Sequence, residues 1–124
     1  MQNKNKGQIE QEISNAITRF EKEHLGRGPR ETRTFIVHDM ILVRLKDVLT
    51  PAEARLAVDS DGAQLIKQIR LRLIENSRSL LEKIVEDATG AKVVTLHTDI
   101  STRTGERIFV FGLNKDLERE LKSQ

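Results

Sequence analysis

Apolar residues recur along this chain with two different periods, and each change of period marks an element. From Gln8, the residues Ile9, Ile13, Ala16, Ile17 and Phe20 fall at i, i+4, i+7, i+8 and i+11, which is one face of a helix. That helix runs out at Leu25-Gly26, where Gly26 supplies a left-handed C-cap. After Pro29 the residues become β-branched and aromatic, over Glu31 to Val37 and again over Met40 to Leu45, with His38-Asp39 as a tight loop between them. If Val37 faces Met40, one sheet face carries Arg33, Phe35, Val37, Met40, Leu42 and Arg44, and the other Thr32, Thr34, Ile36, Ile41, Val43 and Leu45. Both faces are apolar near the turn. A sheet with one wet face alternates more cleanly, so this hairpin asks for cover on both sides.

Thr50-Pro51-Ala52-Glu53 predicts a helix start: a capping threonine, a proline at the first helical position and a glutamate that completes a capping box. Asp59-Ser60-Asp61-Gly62 ends this short helix and caps the next. Leu65, Ile66, Ile69, Leu73, Ser77, Leu80, Leu81, Ile84, Val85 and Ala88 then form one stripe, predicting a single long central helix from Asp61 to about Ala88 that Gly90 closes. At about 1.5 Å per residue such a helix spans roughly 40 Å, more than a small sheet needs. A second hairpin follows, Lys92 to Thr98 and Arg107 to Leu113, joined through Gly105. Asn114 is placed to cap a last short helix carrying Leu117 and Leu121.

The order of helix, hairpin, two helices, hairpin and short helix predicts an α+β two-layer domain with an antiparallel sheet. Residues 1–7 are expected to be a flexible tail and residues 8–124 a single domain. Overhanging helix and two-sided sheet both leave apolar surface uncovered, which favours a homodimer.

Composition narrows the chemistry. The chain has 124 residues, no Cys, Trp or Tyr, and four Phe, so its core is aliphatic and thiol nucleophiles, disulfides and Cys-ligated metals are excluded. A formal net charge of +2 permits a local basic patch without demanding a nucleic-acid partner. The polar N-terminus lacks the apolar stretch of a secretory signal, and no apolar run reaches the roughly 20 residues of a membrane span. A cytoplasmic protein, at most peripheral to the membrane, is expected.

Candidate binding residues are basic. Gly26-Arg27-Gly28-Pro29 resembles an anion loop, in which glycines let backbone N–H groups approach and Arg27 and Arg30 add charge. It lies after a helix and before a strand, the reverse of the usual phosphate cradle, so a C-cap and a rigid lead-in to the hairpin is the stronger reading. Arg33 and Arg44 are cross-strand neighbours in the register above and add a basic stripe, but Phe35 is the one aromatic beside them, so a nucleic-acid partner is disfavoured. Arg70 lies against the apolar stripe and needs an internal ion pair or a path to solvent. His24, His38 and His97 show no metal-ligand spacing, and no serine sits in a nucleophile motif. Glu10 with Glu12, and Glu21 with Glu23, read as a solvated helix face. No catalytic residue, metal or cofactor is expected.

Gly26-Arg27-Gly28-Pro29, the hairpin through Ile41-Leu42-Val43, Leu49-Thr50-Pro51-Ala52-Glu53, the helix containing Arg70, and Gly90 before the second hairpin together resemble the MpsC-like family of small bacterial proteins, from about Ile9 to Leu113. The resemblance implies association with a sodium-translocating, membrane-potential-generating system linked to inorganic-carbon uptake, in which other subunits span the membrane. It implies no catalytic residues. The expected function is thus a non-enzymatic accessory or regulatory partner of membrane transport subunits, contacting them through the Arg27–Arg30 loop and the hairpin. The alternative is an anion-, nucleotide- or nucleic-acid-binding regulator using Arg27, Gly28, Arg30, Arg33, Arg44 and Arg70.

Overall fold

Asn5 opens the first helix, α1 (Lys6–Leu25), in a computed structural model that describes residues 4–123. The Asn5 side chain accepts the Gln8 N–H while the Gln8 side chain accepts the Asn5 N–H. This reciprocal cap starts the helix at Lys6, so the tail expected over residues 1–7 gives up Lys6 and Gly7 to the helix. Of the rest of that tail, Lys4 and Asn5 precede the helix and residues 1–3 lie outside the described residues. Gly26 ends α1 in the left-handed region at φ 88°, where a side chain would be strained.

The first hairpin, β1 (Glu31–Val37) and β2 (Met40–Lys46), has the expected register, with Val37 opposite Met40 and Arg33 opposite Arg44. His38 accommodates the tight turn at φ 55°. Thr50 and Glu53 form the expected capping box at the start of α2 (Pro51–Leu56), and Asp59 caps α3 (Ser60–Asn76) through the Gly62 N–H.

The single long helix is not observed. Helix geometry breaks at Ser77 (φ −108°, ψ 10°), and α4 (Arg78–Thr89) begins there without a side-chain cap. Two helices meet because they answer to different neighbours: α4 packs along α1, whereas α3 packs with α2. The break also rotates the buried line. In α3 it runs Gly62, Ile66, Arg70, Ile74, leaving Leu65, Ile69 and Leu73 exposed, and in α4 it runs Leu81, Val85, Ala88.

The second hairpin, β3 (Val93–Ile100) and β4 (Arg107–Leu113), is followed by α5 (Leu117–Lys122). Asp116 rather than Asn114 caps α5, through the Arg119 N–H. Asn114 instead closes the hairpin's open end, accepting the Lys92 N–H on its side chain and donating its own N–H to the Lys92 carbonyl.

The strands form one antiparallel sheet in the order β1-β2-β4-β3. Ile36, Ile41, Val43, Leu45, Phe109, Phe111 and Leu113 point inward and share one core with Ile9, Ile13, Ile17 and Phe20 of α1, Ile66 and Ile74 of α3, Leu81 and Val85 of α4, and Leu117 of α5. Each fully buried Phe or Ile contributes about 2–3 kcal/mol. The opposite face, with Phe35, Val37, Met40 and Ile108 between 37% and 40% exposed, carries no helix. Among the described residues of one copy, cover on both sides of the first hairpin is thus not found.

Two predictions follow from these contacts. A Cβ at Gly62 would lie 1.8 Å from the Leu56 carbonyl oxygen. Gly→Ala inside a helix normally stabilises by about 0.5–1 kcal/mol. Gly62→Ala should do the opposite and lower stability by more than about 2 kcal/mol, measured by urea unfolding. Glu118 fastens α5 to α1 and to the first hairpin, accepting from Lys6 Nζ at 2.8 Å and from the His38 N–H at 3.0 Å. The Lys6 hydrogen bond first, then the His38 N–H, hold its carboxyl at about 2. A depressed folded value means this contribution is complete above the unfolded value of about 4.3 and is lost as pH falls toward the folded one. Glu118→Gln should therefore be less stable than the parent at neutral pH and flatter in its acid dependence, read from urea midpoints across the acid range.

Candidate functional site

A cluster of two arginines and two glutamates lies inside the domain, built from four separate elements. Arg70 reaches inward from α3 and is 1% exposed. Its Nε donates to Glu53 Oε2 at 2.9 Å and its Nη2 to Glu53 Oε1 at 2.7 Å, a bidentate pair, while Nη2 also donates to the Val48 carbonyl at 3.0 Å. Glu53 has two duties, because the same Oε1 accepts the Thr50 N–H and caps α2. The second pair is deeper and looser. Glu21 of α1 is 0% exposed, with Oε1 3.6 Å from Arg70 Nη1 and Oε2 3.8 Å from Arg107 Nε. Arg107 of β4 donates from Nη1 to Thr98 Oγ1 at 2.9 Å and lies over the Phe109 ring.

The two carboxylates titrate in opposite directions. Burial pushes Glu21 above the ordinary glutamate range, and Arg107 and Arg70 only partly counter it. Burial also opposes the charge on Glu53, but the Arg70 hydrogen bond and the Thr50 N–H outweigh it and hold that carboxyl below the ordinary range. Burial lowers Arg107. The difference follows from geometry. Glu53 makes true hydrogen bonds with a guanidinium, whereas Glu21 has only charges at distances too long for one.

The basic residues expected to bind do not form one site. Arg27 is engaged, donating Nη2 to Asp47 at 2.8 Å and Nη1 to the Leu49 carbonyl at 3.1 Å, beside an open crevice of about 460 Å³. Gly28 packs near the Lys22 side chain without a left-handed backbone, which agrees with a structural lead-in. Arg30 is exposed, and its N–H extends the hairpin ladder to the Lys46 carbonyl. Arg33 and Arg44 are adjacent on the open sheet face beside Phe35, lining a depression of about 240 Å³, each with a carboxylate nearby: Glu31 at 3.3 Å and Glu106 at 2.6 Å. Arg70 is in the core with the internal partner its position demands.

Glu21 corrects the sequence reading, which put it on a solvated face. It lies seven residues after Ser14 and four after Ile17, both buried, so continuing the stripe of α1 one turn past Ile17 places it inside. Arg107 was legible in the same way, since it alternates with Phe109, Phe111 and Leu113 on the inward face of β4. Of the other paired carboxylates, Glu10 accepts the edge N–H of Ile36 at 2.9 Å, and Glu12 pairs with Lys4.

Chemically, the cluster is a charge-balanced brace. Every arginine in it faces a carboxylate, and each of its four side chains comes from a different helix or strand. Among the described residues, no three His, Asp or Glu side chains converge as metal ligands, and no helix is long and apolar enough to cross a membrane. Fold and cluster together define a two-layer α+β protein organised around a buried ion-pair network. The chain belongs to the MpsC family, described as "Na+-translocating membrane potential-generating system", which matches residues 5–115. It is 49% identical to the uncharacterized protein YbcI of Bacillus subtilis (strain 168), over 96% of either chain, and 26% identical to the uncharacterized protein YrhF of the same organism, over 88% of this chain and 90% of that one. No solved structure matches it.

Removing one member of the network should cost more than replacing a neutralising pair. Arg70→Met leaves Glu53 without its guanidinium and Glu21 with Arg107 alone, and should destabilise by about 3–5 kcal/mol. Glu21→Leu with Arg107→Met removes opposite charges together and should cost less than the two single changes summed, with a coupling of about 1–3 kcal/mol in a double-mutant cycle followed by urea unfolding.

Proposed function

We propose that this chain is a non-enzymatic accessory or regulatory protein of a Na+-translocating membrane system linked to inorganic-carbon uptake. It works by protein–protein contact from the cytoplasmic side, as a homodimer that does not itself span the membrane. Membership of the MpsC family supports association with a Na+-translocating system. The observation that carries the contact role is the apolar stripe on the outside of α3: Leu65, Ile69 and Leu73 are 46%, 48% and 38% exposed, and Leu80 continues them on α4 at 41%. A stripe of this kind, one residue type at helical spacing and facing solvent, is what a partner's groove or helix takes up. The Arg27 loop is less suited to the role, because Arg27 is already held by Asp47 and the Leu49 carbonyl.

A second reading has its own observation. Arg33 and Arg44 flank the exposed Phe35, a small cationic and stacking surface of the sort that takes single-stranded nucleic acid or a nucleotide. It predicts binding that weakens with salt and is lost in Arg33→Ala/Arg44→Ala.

The test of the leading reading is affinity capture from native membranes with the full chain as bait. The Na+-translocating membrane subunits should be recovered, and Ile69→Asp/Leu73→Asp, which alters exposed positions only, should reduce their recovery about tenfold or more. Equal recovery by parent and variant, or recovery of no such subunit, would sink the reading.

A further inference from the structure

The open face of the sheet is self-complementary in one orientation. Reading across the strands, the register places outward-facing residues in rows: Arg33, Arg44, Ile108, Asp99; then Phe35, Leu42, Val110, His97; then Val37, Met40, Gly112, Thr95. Two residues further along, in the next row of this face, Glu31 pairs with Lys46, and Glu106 follows in the same register opposite Ser101. Cations therefore outnumber the one carboxylate, Glu31, on the β1–β2 half of the face, at Arg33, Arg44 and Lys46. Acidic groups lie on the β4–β3 half, at Glu106 and Asp99. The apolar residues fill the middle.

From this arrangement we propose that two copies of this chain pack open face to open face about a two-fold axis that runs parallel to the strands, between β2 and β4. It deepens the self-association within the proposed function by naming the surface. Such an axis reverses strand order and keeps each row in place. It sets Arg33 over the partner's Asp99, Lys46 over the partner's Glu106, Leu42 over the partner's Val110 and Phe35 over the partner's His97, while Arg44 lies over the partner's Ile108 and keeps Glu106 of its own copy. Both charge pairs occur twice by symmetry, at the rim, with Phe35, Val37, Met40, Leu42, Ile108 and Val110 of each copy in the centre.

The alternative axis, across the strands, inverts the rows. It lays Arg33 over the partner's Val37 and Arg44 over the partner's Met40, so charges lose water and gain no partner. Charge pattern thus selects one of the two face-to-face dimers. Aligned sheets pack about 30° apart because of their twist, and the apolar centre of the face tolerates that rotation better than its corners do.

The rim groups are available for this exchange. The Arg33 side chain is 68% exposed and only 3.3 Å from Glu31. That of Asp99 is 80% exposed at the sheet edge, where its Oδ1 accepts the Ile100 N–H and lies 3.3 Å from Lys67 of α3, a pairing with the helical layer that the partner's Arg33 would replace. Glu106 already meets Arg44 within its own copy and would be shared with the partner's Lys46. Four strands at about 4.8 Å spacing and seven residues at about 3.3 Å make a face of roughly 400 Å² per copy before side-chain relief, about 800 Å² for the pair, below the roughly 1,200 Å² at which stable specific interfaces begin. The dimer is accordingly one that dissociates on dilution.

Sedimentation equilibrium on the purified full chain, with no membrane component present, tests it. The mass should rise from 14.1 kDa toward twice that value as concentration increases. Leu42→Glu should abolish the rise, whereas Ile69→Glu on α3 should leave it unchanged. Arg33→Asp and Asp99→Arg should each weaken association about tenfold, and the two together should restore it. Circular dichroism of each variant confirms that it folds. A monomer at every concentration overturns the dimer. So does a monomer that binds an oligonucleotide through Arg33 and Arg44, which gives the face to another occupant. Dimerisation that Ile69→Glu abolishes places the interface on α3 instead, and a charge swap that fails to rescue rejects the proposed axis. Failure of membrane capture alone would leave this result standing, since the dimer is measured without it.

Discussion

A guanidinium with no route to solvent decides how the helical layer is assembled. Arg70 is buried, and an isolated charge in that position would cost more than the domain's other contacts could offset. It must meet a carboxylate, and the bidentate pair with Glu53 answers that need. That one contact has three consequences. It anchors α2, a helix of six residues with none buried. It fixes the rotation of α3, so that the line through Ile66 and Ile74 faces the core while Leu65, Ile69 and Leu73 face out. It also brings positive charge to Glu21, which with Arg107 carries the network across to α1 and the sheet.

Surface and core are connected through this geometry. A helix oriented by its apolar residues alone would have buried Leu65, Ile69 and Leu73, the residues that define its longest stripe. Orientation by Arg70 leaves that stripe exposed. The sheet makes a parallel choice. All packed helices lie on one side, so the apolar outer residues of β1, β2 and β4 also stay exposed. The protein thus presents two apolar surfaces on opposite layers.

Much of the fold was legible because its signals are local. Gly26 and Gly90 end helices where left-handed backbone is needed, Thr50 and Glu53 form their box within three residues, and the Val37–Met40 register follows from a two-residue turn. Errors arose where a signal was local but its consequence was not. The stripe from Leu65 to Ala88 continues through Ser77, so no change of period reveals the break there. Asn114 and Asp116 are both good caps, and Asn114 was taken by the β3–β4 hairpin through Lys92. Glu21 was read as wet because most glutamates on a helix are, although its spacing from Ser14 and Ile17 placed it inward.

By itself, then, the sequence determined the element types, most of their ends, the first hairpin's register and the aliphatic character of the core. Each of these depends on residues close together in the chain. Only the tertiary structure decided the strand order β1-β2-β4-β3, which sheet face is open, and that Glu21, Glu53, Arg70 and Arg107 share one site. Those four are spread from α1 to β4. Nothing in their spacing announces that they meet, because a buried charge selects its partner by distance in space and by the absence of water, and neither is written along the chain.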